Sequence, residues 1–281
     1  RSDSRPIWAS RAKQRPEHDR RPAAPEAIGP QAPGGRDMTA LLRLSGVHTH
    51  IGAYHILHGV DFEVPRGGIT LLLGRNGAGK TTTLRTIMGL WTARSGSIVF
   101  DGADITKLPT PDISQAGIAY VPENMGVFAD LTVRENLLLA ARRARTLADI
   151  DRARLERVFA AFPALQKFWE QPAGLLSGGQ KQMLSVARAM IEPRKLLLID
   201  EPSKGLAPAI VQNLIAALRD LRDAGTTILL VEQNFQFARQ LGDTVAVMDD
   251  GQAVHRGAMR ELVGDEALQQ RLLGLSLGAH Q

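Results

Sequence analysis

The stretch ITLLLGRNGAGKT, residues 69–81, decides the fold of this chain of 281 residues. Residues 69–73 are apolar apart from one threonine and predict a strand that is buried on both faces. Residues 74–81 match G-x-x-x-x-G-K-[ST], the pattern of a loop that wraps around phosphate groups. Helix-forming residues follow, so the predicted local order is strand, phosphate loop and helix. This order is typical of proteins that bind nucleoside triphosphates.

The phosphate loop indicates which residues bind the nucleotide. Its glycines allow backbone N–H groups to turn toward phosphate oxygens, and the N-terminus of the next helix adds partial positive charge. We expect Lys80 to bridge the β- and γ-phosphates and the Thr81 hydroxyl to ligate Mg²⁺. The predicted nucleotide-binding residues here are Gly74, Arg75, Asn76, Gly77, Ala78, Gly79, Lys80, Thr81 and Thr82. A glycine-rich turn without a ligand is the alternative, which the Lys80–Thr81 pair disfavours.

Two further stretches carry chemistry that fits a nucleotide. LSGGQ, residues 176–180, precedes apolar residues at helical spacing, so Ser177 is predicted to cap a helix whose first N–H groups are open to phosphate. The predicted nucleotide-binding residues of this stretch are Ser177, Gly178, Gly179 and Gln180. The run LLLIDE, residues 196–201, places the carboxylates of Asp200 and Glu201 at the end of a buried strand, where ligands lie in open α/β sheets.

Apolar runs separated by helical stretches predict the remaining architecture. Residues 195–199 and 227–231 resemble the first strand, which places all three at the centre of a parallel sheet covered by helices. Shorter strands of alternating polarity predict an antiparallel layer beside this core, near Leu41–Val47, Val60–Val64, Ser97–Phe100 and Thr244–Met248. The sequence DDG at 249–251 predicts a hairpin turn, and residues 132–192 are predicted to be mostly helical.

The phosphate loop, LSGGQ and LLLIDE in this order resemble the nucleotide-binding subunits of ATP-binding cassette (ABC) transporters, over about residues 41–275. YVPE at 120–123, LTVREN at 131–136, GLAP at 205–208 and VEQN at 231–234 resemble the ATPase subunits of branched-chain amino acid importers and of related urea and amide importers. The resemblance implies an α/β fold: a P-loop NTPase core with an antiparallel β side layer and a helical subdomain. It also implies ATP hydrolysis, with ATP and Mg²⁺ as cofactors, coupled to uptake of branched-chain amino acids or similar small polar solutes.

The resemblance also implies roles for single residues. Glu201 accepts the proton of the attacking water, and Lys80 stabilises the charge that develops on the phosphate. Thr81 and Asp200 help to hold Mg²⁺.

The chain departs from the family pattern at two predicted site residues. Glu123 stands where a glutamine usually reaches Mg²⁺; its carboxylate still offers oxygen to a hard cation but adds negative charge near the phosphates. Gln233 stands where a histidine usually contacts the γ-phosphate, and its amide can donate a hydrogen bond but cannot carry a proton. The residue that stacks on adenine is left open between Ile51, at the family spacing, and Tyr54, three residues later.

The resemblance further implies one ABC ATPase domain at residues 38–281 with a helical lobe at about 110–193. Two such domains are implied to pair head-to-tail, with each ATP between the Lys80 loop of one and the Ser177 loop of the other. The implied partners are transmembrane permease subunits, a second ATPase subunit and, indirectly, a periplasmic solute-binding protein, and the implied location is the cytoplasmic face of the inner membrane. Residues 1–37, rich in proline and arginine, are expected to be a disordered or vector-derived extension.

Composition and charge exclude or disfavour other classes. The chain has no cysteine, which excludes disulfides, zinc–thiolate sites and cysteine nucleophiles. Part of the net charge of +5 lies in residues 1–37, so the remainder is nearly neutral and no nucleic-acid partner is expected. The alternative function is a soluble ABC ATPase that acts on nucleic acid or ribosomes, but the spacing between the phosphate loop and LSGGQ is too short for a long coiled coil. A nucleotide sensor without hydrolysis is a third alternative, which the intact Lys80, Asp200 and Glu201 disfavour.

Overall fold

The structure, a computed structural model, describes residues 40–141, 144 and 146–274. The expected extension at residues 1–37 lies outside this part of the chain. The strands are β1 (Ala40–Ile51), β2 (Tyr54–Pro65), β3 (Ile69–Gly74), β4 (Ala93–Phe100), β5 (Ala103–Asp104), β6 (Ile118–Val121), β7 (Leu196–Asp200), β8 (Thr227–Val231), β9 (Thr244–Asp249) and β10 (Gln252–Ala258). The α-helices are α1 (Lys80–Ile87), α2 (Thr110–Ala116), α3 (Val133–Ala140), α4 (Arg152–Ala161), α5 (Pro163–Lys167), α6 (Gly178–Met190), α7 (Pro208–Asp223), α8 (Phe235–Ala238), α9 (Met259–Gly264) and α10 (Glu266–Leu273).

The strands form two sheets. One is antiparallel, with the order β2-β1-β4-β5, and the other has the order β10-β9-β3-β8-β7-β6. In the larger sheet the strands from β9 to β6 run parallel, and β10 lies antiparallel at the edge. The predicted α/β fold with an antiparallel side layer is therefore confirmed.

The central strand β3 shows why its sequence is apolar throughout. Ile69, Leu71 and Leu73 pack into a core on the helical side of the sheet, whereas Leu72 packs into a second core shared with the antiparallel sheet. All residues of β3, β7 and β8 are buried. Burial of one large aliphatic side chain contributes about 1.5–3 kcal/mol, so these three strands are the main apolar support of the loops at their carboxyl ends.

One strand prediction is wrong. The sequence places Thr244–Met248 in the antiparallel layer, but β9 pairs in parallel with β3 inside the main sheet. Four successive residues of β9 are buried. This is typical of a strand covered on both faces, and not of a strand whose residues alternate between buried and exposed. The hairpin turn that follows is confirmed, since Asp249 pairs with Gln252 across it. Asp250 and Gly251 both have positive φ, at 41° and 71°, as a two-residue hairpin loop requires.

The segment between β6 and β7 is mostly helical, as predicted. The Thr132 hydroxyl accepts a hydrogen bond from the Glu135 N–H at 3.1 Å, and the Glu135 carboxylate accepts one from the Thr132 N–H at 2.8 Å, which closes a capping box at the start of α3. Short 3₁₀ turns lie at Leu147–Asp149 and Ala173–Leu175. Among the helices of the described residues, none is long and apolar enough to cross a membrane.

Candidate active site

The phosphate loop joins β3 to α1 and is shaped by glycines with positive φ. These are Gly74, Gly77 and Gly79. A Cβ atom at Gly74 would lie 2.3 Å from the carbonyl oxygen of Met248, so a larger residue cannot stand there without moving the end of β9. The Gly251 N–H donates a hydrogen bond to the Ala78 carbonyl at 3.1 Å. The β9–β10 turn thus fixes the loop from one side.

The Lys80 side chain folds back over the loop. Its ammonium donates hydrogen bonds to the carbonyl oxygens of Gly74, at 2.9 Å, and Arg75, at 3.0 Å. The same ammonium lies 3.8 Å from Oε1 of Glu201. Burial lowers the pKa of Lys80, while the charges of Glu201 and Asp200 oppose this shift. The loop therefore holds a buried cation at the point where phosphate oxygens are expected.

Asp200, the last residue of β7, is fully buried and binds two hydroxyl groups. Thr81 donates to its Oδ1 and Tyr120 donates to its Oδ2, both at 3.1 Å. Burial raises the pKa of Asp200, and these two hydrogen bonds oppose the shift. Burial and the charge of Asp200 raise the pKa of Tyr120 to about 12, so its hydroxyl remains a donor at neutral pH. Tyr120 belongs to the YVPE motif, but nothing in that pattern singles it out as a site residue.

Glu201 follows β7 directly and has φ of +46°, in the left-handed region. A non-glycine residue in such a region costs about 1–3 kcal/mol, and positions of this kind cluster at functional sites. The Glu201 N–H donates to the Val231 carbonyl at 3.0 Å, which ties this backbone to β8. Oε1 of Glu201 accepts a hydrogen bond from Nε2 of Gln233. The structure thus brings Glu201, Lys80 and Gln233 together; their catalytic roles remain predictions.

Glu232 joins two loops of the site and was missed by the sequence analysis. It is 2% exposed, and burial raises the pKa of its carboxyl group, while the hydrogen bond from Ser203 opposes the shift. Its oxygens accept hydrogen bonds from the N–H groups of Ser203 at 3.0 Å, Gln233 at 3.2 Å and Asn234 at 3.3 Å. The loop after β7 and the loop after β8 therefore share one buried carboxylate.

Lys204 was also missed, although it lies only three residues after Glu201. Its ammonium donates to Oε1 of Glu123 at 2.6 Å, and the bond with Glu123 raises the pKa of Lys204. The predicted metal ligand Glu123 is therefore held by a lysine on one of its two oxygens.

A cleft of about 500 Å³ lies over the phosphate loop. Residues of the loop and of the start of α1 line it, together with Ile56, Glu123, Glu201 and Lys204. Its volume falls within the range typical of small-molecule sites. The Thr81 hydroxyl and the carboxylate oxygens nearby are ligands that a hard cation prefers, so the residues fit Mg²⁺ as well as a triphosphate.

The structure does not bring every predicted residue to the lining of this cleft, from which Gly74, Arg75, Ala78, Asp200 and Gln233 are absent. Ser177 caps α6, since its hydroxyl accepts from the Gln180 N–H at 3.3 Å and the Gln180 side chain accepts from the Ser177 N–H at 2.8 Å. Neither they nor the two glycines between them line the cleft. Ile51 and Tyr54 pair at the β1–β2 turn, also outside the cleft lining, and Tyr54 is 76% exposed.

The buried strand, the phosphate loop with its lysine and the two carboxylates at the carboxyl end of β7 define a P-loop nucleotide-binding protein. The sequence model of the ABC transporter family matches residues 57–204. The high-affinity branched-chain amino acid transport ATP-binding protein BraG of Pseudomonas aeruginosa is 40% identical over 234 residues, which cover 83% of this chain and 100% of BraG. A probable branched-chain amino acid transport ATP-binding protein, LivF of Archaeoglobus fulgidus, is 37% identical over 84% of this chain and 99% of its own length.

Solved structures give the same result. A nucleotide-free ATP-binding cassette from an ABC transporter superposes with a TM-score of 0.69 and 25% identity, covering 85% of this chain and 100% of that one. A transporter cassette in its ADP conformation has a TM-score of 0.69 and 26% identity, over 84% of this chain and 100% of that one. The chain belongs to the ABC transporter family and is an ATPase of that family.

Proposed function

We propose that this chain is the ATP-hydrolysing subunit of an ABC importer for branched-chain amino acids or similar small polar solutes. The observation that carries hydrolysis is the contact of Glu201 with Gln233 and its approach to Lys80 at the end of the central strands. The names of BraG and LivF support the solute class. These relatives are transport proteins and lend no support to the alternative of an ATPase acting on nucleic acid or ribosomes.

The proposed mechanism follows from the positions of the side chains. Lys80 exchanges its carbonyl partners for phosphate oxygens and stabilises the charge that develops there. Glu201 accepts the proton of the attacking water, and the Gln233 amide holds the Glu201 carboxylate in place. Mg²⁺, when bound, supplies positive charge at the phosphates, and Thr81, Asp200 and Glu123 would hold it.

The assembly is part of the same proposal. The N–H groups that follow Ser177 start a 13-residue helix but do not line the cleft of their own chain, so a second ATPase subunit is the simplest source of a phosphate loop for them. We propose that two domains, each comprising residues 38–281 with a helical lobe at about 110–193, pair head-to-tail around ATP. They would lie at the cytoplasmic face of the inner membrane as peripheral subunits, bound to transmembrane permease subunits and served indirectly by a periplasmic solute-binding protein.

Two variants test the ATPase assignment. Glu201→Gln should bind ATP but hydrolyse it about 10²–10⁴-fold more slowly, because an amide cannot accept the proton. Lys80→Ala should weaken ATP binding itself, as measured by calorimetry. Near-normal phosphate release by purified Glu201→Gln would contradict the role of Glu201 as the base.

The solute class needs a separate experiment. The chain would be reconstituted in vesicles with a candidate permease and solute-binding protein, and ATP-dependent uptake of leucine and of ribose would be compared. Uptake of leucine is expected. Uptake of ribose alone would overturn the solute class and leave the ATPase assignment intact.

A further inference from the structure

A salt bridge joins two loops across the cleft. Glu123 lies two residues after β6, and Lys204 lies four residues after β7. The Lys204 ammonium is 2.6 Å from Oε1 of Glu123 and 3.8 Å from Oε2 of Glu201. One ammonium is therefore shared by carboxylates that come from two neighbouring strands.

The groups around this salt bridge carry mainly negative charge. Glu123 and Glu201 place two carboxyl groups in the lining of the cleft, and Asp200 adds a third, fully buried, at the end of β7. A triphosphate would add further negative charge to the same cleft. The carboxylate nearest to the Lys80 ammonium is that of Glu201, at 3.8 Å, whereas the ammonium that contacts Glu123 is that of Lys204. Without a cation beside it, the Glu123 carboxylate would repel a triphosphate.

We propose that Lys204 is the positioning residue of Glu123: it holds this carboxylate in place in the lining of the cleft and offsets its charge, so that ATP can bind beside it. The inference rests on the proposed function, because it requires ATP in this cleft. It adds a residue that neither the phosphate loop nor LLLIDE contains.

The test is a cycle of variants measured as ATP affinity by calorimetry in the presence of a chelator. In the parent chain Lys204→Met should weaken ATP binding about two- to fivefold, the range of an exposed ion pair. In a Glu123→Gln background the neutral amide needs no counter-charge and only the more distant Glu201 carboxylate remains near Lys204, so the same change should weaken ATP binding clearly less than in the parent. Lys204→Arg keeps the charge and should bind ATP as the parent does.

The chain offers a matched control in Lys195. Its ammonium lies 2.6 Å from Oδ2 of Asp101, and its side chain is 54% exposed against 64% for Lys204. Lys195→Met therefore removes an ion pair of the same length and similar exposure that does not line the cleft, and it should leave ATP affinity unchanged.

Steady-state kinetics give a second test. Lys204→Met should raise KM for ATP and leave kcat nearly unchanged. A general loss of stability would not raise KM while sparing kcat.

The possible results distinguish a wrong role for Lys204 from a wrong proposed function. An equal loss of affinity in the parent and Glu123→Gln backgrounds, or no loss in either, overturns the role of Lys204 toward Glu123. A parent chain that binds no ATP, or that binds it as well after Lys80→Ala, overturns the proposed function instead.

Discussion

Tyr120→Phe removes one oxygen atom from the interior of the site. In the parent the Tyr120 hydroxyl donates to Oδ2 of Asp200 at 3.1 Å, while Thr81 occupies the other oxygen. Asp200 is fully buried, so water cannot simply replace the lost donor. The variant therefore leaves one buried carboxylate oxygen without this partner.

The loss of stability can be worked out from this contact. A hydrogen bond to a charged group contributes about 1.5–3 kcal/mol. The distance of 3.1 Å is longer than is usual for a hydrogen bond between two oxygen atoms and favours the lower end. We expect the free energy of unfolding to fall by about 1.5 kcal/mol, and Tm to fall by roughly 3–6 °C for a domain of this size.

Denaturant unfolding and thermal melts of the purified chain measure both quantities. Tyr54→Phe makes the same chemical change at a tyrosine that is 76% exposed and should stay within about 0.5 kcal/mol of the parent. In an Asp200→Asn background Tyr120→Phe should cost less, because the acceptor is no longer charged. If Tyr120→Phe and Tyr54→Phe have the same free energy of unfolding, the Tyr120 hydroxyl does not stabilise the buried Asp200 carboxylate.

Three further predictions follow from the same geometry. Gln233→Ala should reduce ATP turnover more than ATP binding, whereas Gln233→His should retain measurable turnover; equal rates for Gln233→Ala and the parent would make this side chain a spectator. The chain has two tyrosines, so ultraviolet titration of Tyr54→Phe reports on Tyr120 alone. The pKa of Tyr120 should be about 12, above the ordinary 10.0, because burial and a neighbouring carboxylate both disfavour the phenolate. Light scattering of Glu201→Gln should show ATP-dependent pairs that Ser177→Arg abolishes, and a monomer with ATP in the unmodified Ser177 background would contradict the homodimer.

Much of the fold could be predicted because its signals are local. An apolar run such as residues 69–73 needs two covered faces, and the Asp250–Gly251 turn needs residues that accept positive φ. The partner of β9 could not be predicted in this way. A strand next to a hairpin turn suggests an antiparallel sheet, yet β9 also pairs in parallel with β3, a segment far away in the sequence.

The residues of the site likewise divide into those that the sequence predicts and those that it does not. Lys80, Thr81, Asp200 and Glu201 lie in short motifs whose spacing is visible in the sequence. Tyr120, Lys204 and Glu232 enter the site because neighbouring strand ends place them beside those residues, and no spacing rule connects them in advance. A polar residue within a few positions of a motif carboxylate, as Lys204 is, would have been a reasonable candidate.

The position of β3 between β8 and β9 has a consequence for synthesis on the ribosome. The strand that carries the phosphate loop emerges early, but both of its neighbours are made only when residues 227–249 have been translated. A nascent chain ending at residue 204, where the family match ends, contains the whole of the loop and neither strand that supports it. We therefore expect chains that end before residue 249 to bind ATP poorly, since their phosphate loop lacks one or both of the strands that flank β3.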